Sequence, residues 1–132
     1  MANCSADKKD FFDSIIPLIR PLAIRLNVDE NLLLTLVAFE DAWGQDAHNK
    51  VLHNIFGLTQ AGGNNLKFAS YQDCAAFFER TYGDKLRGIR SLEPFIVAMQ
   101  GIGYNSVNKK YYDQFRSVYQ SVLKYKSACG AT

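Results

Sequence analysis

Apolar residues recur along most of the chain at the three- and four-residue spacing of helices buried on one face. From Asp10 they fall at Phe11, Phe12, Ile15, Ile16, Leu18, Ile19, Leu22, Ile24 and Leu26. Residues 1–9 lack that pattern and read as a loose, flexible start. Pro17 and Pro21 interrupt the first helical stretch. Proline is tolerated only in a helix's first turn, so a break or kink is expected there. Asn27 followed by Glu30 has the form of a capping pair opening the next helix. The stretch 32–44, LLLTLVAFEDAWG, is apolar almost all the way round, which predicts burial on most sides. Gly44 is its expected stop.

Beyond Gly44 the pattern weakens. Residues 45–54 are polar and predict a short helical turn. Two apolar runs, 55–59 and 66–69, flank the sequence AGGNN, a hairpin signal with a long loop. Ser70 with Asp73 forms a second capping pair, opening a helix to about Tyr82 that Gly83 ends. Ser91 opens another, with Pro94 in its first turn and Gly101 as its end. Residues 103–108 are turn formers. A last helix runs from about Lys110 to Tyr125, with Tyr112, Phe115, Val118, Tyr119, Val122 and Leu123 inward. Residues 127–132 read as a tail. The expected fold is a mainly α (α+β) domain over residues 10–126, with five or six helices and one small β-hairpin.

Composition narrows the function classes. A chain of 132 residues holds one domain with a single core. No apolar run reaches the length of a membrane span, so membrane insertion is not expected. The first dozen residues contain no apolar signal-like region, so export by another route, or excision from a longer protein, is expected. A net charge of +2 on scattered Lys and Arg gives no stripe for nucleic acid. The three cysteines are too few and too far apart for a disulfide framework or a zinc site. Cys74 reads as a buried thiol, while Cys4 and Cys129, near the two ends, leave one bridge open. His48 and His53 share no helical face and have no third ligand nearby, so neither metal nor cofactor is implied.

Glu40 is the acid that stands out. On a continuing helix it shares a face with Leu36, Val37 and Trp43, where a carboxyl loses solvation and its pKa rises. A carboxylic acid kept partly protonated near neutral pH is what a general acid requires. Asp41 lies about 100° further round and reads as a solvated or helix-pairing residue. Tyr111, Tyr112, Phe115 and Tyr119 read mainly as helix packing.

The runs AFEDAWGQDA, HNIFGLTQAGGNNLKFASY and GIGYNSVNKKYYDQF, in that order, resemble the lysozyme-like superfamily. They are most similar to its glucosaminidase branch of bacterial autolysins and flagellar cell-wall hydrolases. The resemblance covers nearly the whole chain. It implies a peptidoglycan glycan-strand hydrolase, acting as a β-1,4 N-acetylglucosaminidase or muramidase, with Glu40 as catalytic acid. Trp43 and Gly44 match the residues that close its helix. Asn54, Phe56 and Gly57 match the segment that enters the hairpin and lines the cleft. Tyr104 matches a loop tyrosine near the cleaved sugar, and Asn105 completes a Tyr-Asn pair similar to that of lytic transglycosylases.

The resemblance breaks at one point: residues 55–70 contain no Asp or Glu, where relatives often place a second carboxylate. A glycosidase normally uses two carboxyl groups. Asp46 is the nearest substitute after Asp41, though it could equally cap the turn after Gly44. Two other outcomes stay open, a lytic transglycosylase forming an anhydro product and a catalytically silent glycan-binding module. The expected partner is the peptidoglycan glycan strand, met in the bacterial periplasm or cell wall by a monomer. A secreted effector would add an immunity or inhibitor protein.

Overall fold

The computed structural model describes residues 3–59, 63–104 and 110–131. Among them are six α-helices: α1 (Ala6–Leu26), α2 (Glu30–Glu40), α3 (Ala47–Leu52), α4 (Tyr71–Leu86), α5 (Leu92–Gly101) and α6 (Tyr111–Ala128). A 3-10 turn, Ala42–Gly44, follows α2. The mainly α expectation holds.

Helix α2 is the hub. Every residue from Leu32 to Ala38 is buried, and α1 and α6 pack against it. Thr35, the polar residue in that run, returns its hydroxyl to the Asn31 carbonyl at 2.6 Å, so its burial leaves nothing unpaired. The helix opens on Asp29, whose carboxylate accepts from the Asn31 N–H. The expected Asn27 cap is a correction: Asn27 closes α1 instead, at φ 53°, a left-handed position that asparagine tolerates.

Helix α1 departs from expectation twice. It starts at Ala6 rather than Asp10, because Ser5 caps it by accepting from the Lys8 N–H. It also runs unbroken through Pro17 and Pro21. Both prolines are exposed, so the carbonyls they deprive of a donor can be hydrated. The two ends of the chain meet, since Cys4 and Cys129 form a disulfide with Cα atoms 4.9 Å apart. This bridge fastens the start of α1 to the end of α6.

Gly83 does not end α4; the helix continues to Leu86. A Cβ at Gly83 would lie 3.0 Å from Leu26, so glycine lets α4 close on α1. The hairpin is reduced, among the described residues, to one antiparallel bridge, Thr59 with Asn65. A buried side chain replaces the ladder. Asn54 accepts from the Leu58 N–H at 2.9 Å and donates to the Leu58 and Leu66 carbonyls at 2.8 and 3.0 Å.

Candidate active site

Glu40 is the last residue of α2, and the chain turns away sharply behind it. Ala42 and Trp43 both adopt positive φ, 47° and 58°. Each costs about 1–2 kcal/mol for a non-glycine residue. That turn corrects the expectation for Trp43. The indole does not continue the Glu40 face; it packs edge-on to Phe11, Phe12 and Tyr125, with the Lys8 ammonium 4.4 Å above it. Trp43 holds the turn in place rather than lining the cleft.

The two carboxyl oxygens of Glu40 have different neighbours. The Tyr111 hydroxyl donates to Oε1 at 2.5 Å. On the other side lies Gly57, at φ 63°, where an added Cβ would stand 2.5 Å from Oε2. Only glycine permits that approach. Burial pushes the Glu40 pKa up, and the Tyr111 hydrogen bond partly opposes it by favouring the charged form. From behind, the buried Asn49 amide donates to the Glu40 backbone carbonyl at 3.0 Å.

Neither Tyr111 nor Asn49 was marked by the sequence as a site residue. Tyr111 sits at the start of α6 among aromatic residues that all read as packing. Its ring does pack, 4.8 Å from Phe39, but its hydroxyl reaches Glu40 across 71 positions of chain.

A cleft of about 310 Å³ opens over Glu40, lined by Gly57, Leu58, Thr59, Tyr82, Gly103 and Tyr104. Tyr104 is buried, and its hydroxyl donates to the Phe56 carbonyl. Burial holds its phenol far above the usual range, so it stays neutral. It thus ties the α5–α6 connection to the segment carrying Gly57. Phe56 and Asn54 shape the cleft from beneath: Phe56 is fully buried and stacks on Phe78 at 4.1 Å, and Asn54 pins residues 58 and 66. Neither lines the cleft. Asn105 lies outside the described residues.

Neither nearby aspartate serves as a second carboxylate in the cleft, contrary to the expectation for Asp46, and Asp41 is not where a solvated residue would be. Asp46 caps α3, accepting from the Asn49 N–H at 2.9 Å, and does not line the cleft. Asp41 is not solvated but 3% exposed, and burial pushes its pKa up to about 7. Among the described residues, Glu40 is the one acid lining the cleft. Residues 60–62 and 105–109 contain no Asp or Glu either. The arrangement can deliver one proton and has no second carboxylate opposite it to act as base or nucleophile.

No family model and no curated protein matches this sequence. Solved structures do share its fold. One chain of a type VI secretion system effector–immunity complex from Pseudomonas protegens superposes with a TM-score of 0.80 at 24% identity, covering 94% of this chain and 97% of that one. A peptidoglycan hydrolase from Sphingomonas sp. A1 superposes at 0.78 with 20% identity, covering 94% and 96%. At these identities the likeness is one of fold, and it extends over nearly the full length of all three chains.

Proposed function

We propose that the chain cleaves the glycan strands of bacterial peptidoglycan, with Glu40 as the general acid. The observation that carries this reading is a half-buried carboxyl in a cleft, held by Tyr111 on one oxygen and pressed against Gly57 on the other. Burial raises its pKa and so favours the protonated form that a general acid needs, and such a donor contributes about 10² to 10⁴-fold in rate. The substrate class is supported by the likeness in fold to a solved peptidoglycan hydrolase.

In the first step Glu40 gives its proton to the bridging oxygen of a β-1,4 bond between two N-acetyl sugars, and the bond from that oxygen to C1 breaks. With no second carboxylate in the cleft, the electron pair that closes on C1 comes from the substrate. An acetamido oxygen attacking C1 gives a cyclic intermediate that water opens, with Glu40 accepting the water's proton. A C6 hydroxyl attacking C1 instead, with its proton passing to the Glu40 carboxylate, gives an anhydro sugar and consumes no water, as in a lytic transglycosylase. Glucosaminidase and muramidase action differ only in which of the two alternating sugars supplies C1.

The site of action is the cell wall. An immunity or inhibitor protein is the proposed protein partner, supported by the likeness to a chain of an effector–immunity complex.

Digestion of purified peptidoglycan by the wild type and by Glu40→Gln tests the reading. Muropeptides are identified by mass spectrometry after borohydride reduction. Fragments from the wild type alone are expected; the reduced sugar names the bond cut, and unreduced anhydro ends identify the transglycosylase route. Equal lysis by a folded Glu40→Gln protein would sink the proposal. Saturable wall binding with no fragments would leave a glycan-binding module in its place.

A further inference from the structure

The residue after Glu40 has no role in the chemistry above, yet its main chain makes three of the hydrogen bonds that hold the turn. Asp41 closes α2. Its N–H donates to the Val37 carbonyl at 2.8 Å, and its carbonyl accepts from the N–H groups of Gly44 and Asp46 at 2.9 and 3.2 Å. Its main chain therefore pins the turn that stops the helix at Glu40. Its side chain points inward, and Oδ1 is sealed from water with no hydrogen-bond partner.

The groups facing Asp41 are mixed in sign. Asp46 and Lys50 act on it from the α3 segment, and Tyr71 and Cys74 feel it from α4. Its chain neighbour Glu40 is itself acidic. Asn49 stands next to both acids, giving its amide to the Glu40 carbonyl and favouring the charged form of Asp41, against the effect of burial. No salt bridge to Asp41 forms among the described residues, and an ionised carboxylate with a buried, unpaired oxygen is costly. The neutral acid avoids most of that cost.

We propose that Asp41 is a positioning residue for Glu40: seated as the neutral acid beneath the last turn of α2, it fixes the turn that presents Glu40 to the cleft, and its ionisation loosens that turn. This rests on the reading of Glu40 as the catalytic acid. The direction of the pH effect follows from proton binding. Burial raises the Asp41 pKa from the ordinary aspartate value to about 7, so between those values the folded chain holds a proton that the unfolded chain has lost. The stability Asp41 contributes is full below the ordinary aspartate range and declines as pH rises through about 7.

Two measurements on the protein itself test this without reference to activity. In a ¹³C NMR titration, the Asp41 carboxyl is expected to have its midpoint near 7, well above the ordinary aspartate range. The melting temperature of Asp41→Asn, which cannot ionise, is expected to gain on the wild type as pH rises from 5 to 9. An Asp41 that titrates in the ordinary aspartate range, or a gap that is flat with pH, overturns the proposal.

The catalytic half is read from muropeptide release against pH. Asp41→Ala is expected to lower kcat about tenfold with KM little changed. Asp41→Asn is expected to restore kcat and move the alkaline limb to higher pH. An alkaline limb that stays in place in Asp41→Asn overturns the link to Glu40. If the NMR midpoint and the melting gap appear as expected but the wild type releases nothing at any pH, the Glu40 reading is the part that fails, and Asp41 remains a buried neutral acid.

Discussion

Helix α2 carries carboxylates at both ends, and the two ends treat them oppositely. At the N-terminal end Asp29 caps the first turn, and Glu30 meets Arg20 at 3.1 Å and Lys126 at 3.9 Å. Those acids face cations and the positive end of the helix dipole. They border a cavity of about 430 Å³, larger than the cleft, but every acid in it is already engaged in capping or pairing. At the C-terminal end Glu40 and Asp41 form no salt bridge among the described residues and face the negative end of the dipole. Both have raised pKa values, with burial the main cause. Acids placed where the helix welcomes charge are structural. Acids placed where burial and dipole oppose charge bind their protons more tightly, which is the property a proton donor needs.

The largest effect is expected at Glu40. Glu40→Gln is expected to lose about 10² to 10⁴-fold in muropeptide release while keeping its helical circular dichroism. Its melting temperature is also expected to gain on the wild type as pH rises above the ordinary glutamate range. The folded chain binds a proton at Glu40 that the unfolded chain has released, so wild-type stability falls as pH rises through the raised pKa, and the amide escapes that loss.

Gly57→Ala comes next. The new Cβ would collide with the Glu40 carboxyl at a backbone angle that disfavours it. A displacement on the order of 1 Å at the reacting group costs about 10²-fold in rate, and steady-state digestion of labelled wall should show a loss of that order. Chemical denaturation should show a destabilisation of about 1–2 kcal/mol.

Tyr111→Phe sharpens the comparison more gently. Loss of one hydrogen bond to a carboxyl, about 1.5 kcal/mol, predicts roughly tenfold slower cleavage. That bond favours the ionised form, so its removal raises the Glu40 pKa further. The alkaline limb of the pH–rate profile should therefore move to higher pH.

The smallest effect belongs to the opposite end. Glu30→Gln should leave cleavage unchanged and cost no more than about 1 kcal/mol in denaturant titration, because its partner Arg20 is partly exposed and screened. A Glu30→Gln protein that lost cleavage as Glu40→Gln does would erase the distinction between the two ends.

Much of this was legible in the chain. The helical spacing of Phe11 to Leu26 and the apolar run before Glu40 marked the first two helices, and Ser70 with Asp73 marked a third. Glu40 could be singled out because an acid at the end of so apolar a run has few ways to stay hydrated. Boundaries set by competing local signals were not legible. Asn27 suits either a cap or a left-handed stop, and Gly83 suits either a stop or a close approach. Prolines 17 and 21 look like breakers until the helix is seen to turn them toward water.

The helical architecture, the central apolar helix and the acid at its end could be read from the residue pattern, because periodicity is a local property of the chain. What surrounds that acid depends on how distant segments pack. The left-handed turn at Ala42 and Trp43 carries the indole away. Tyr111 arrives from 71 residues along the chain, Gly57 closes the other side, and Asp41 moves from a solvated reading to a sealed one. The reason is physical: a carboxyl's proton affinity depends on its hydration and on the donors within a few ångströms of it, and the packing of distant segments sets both.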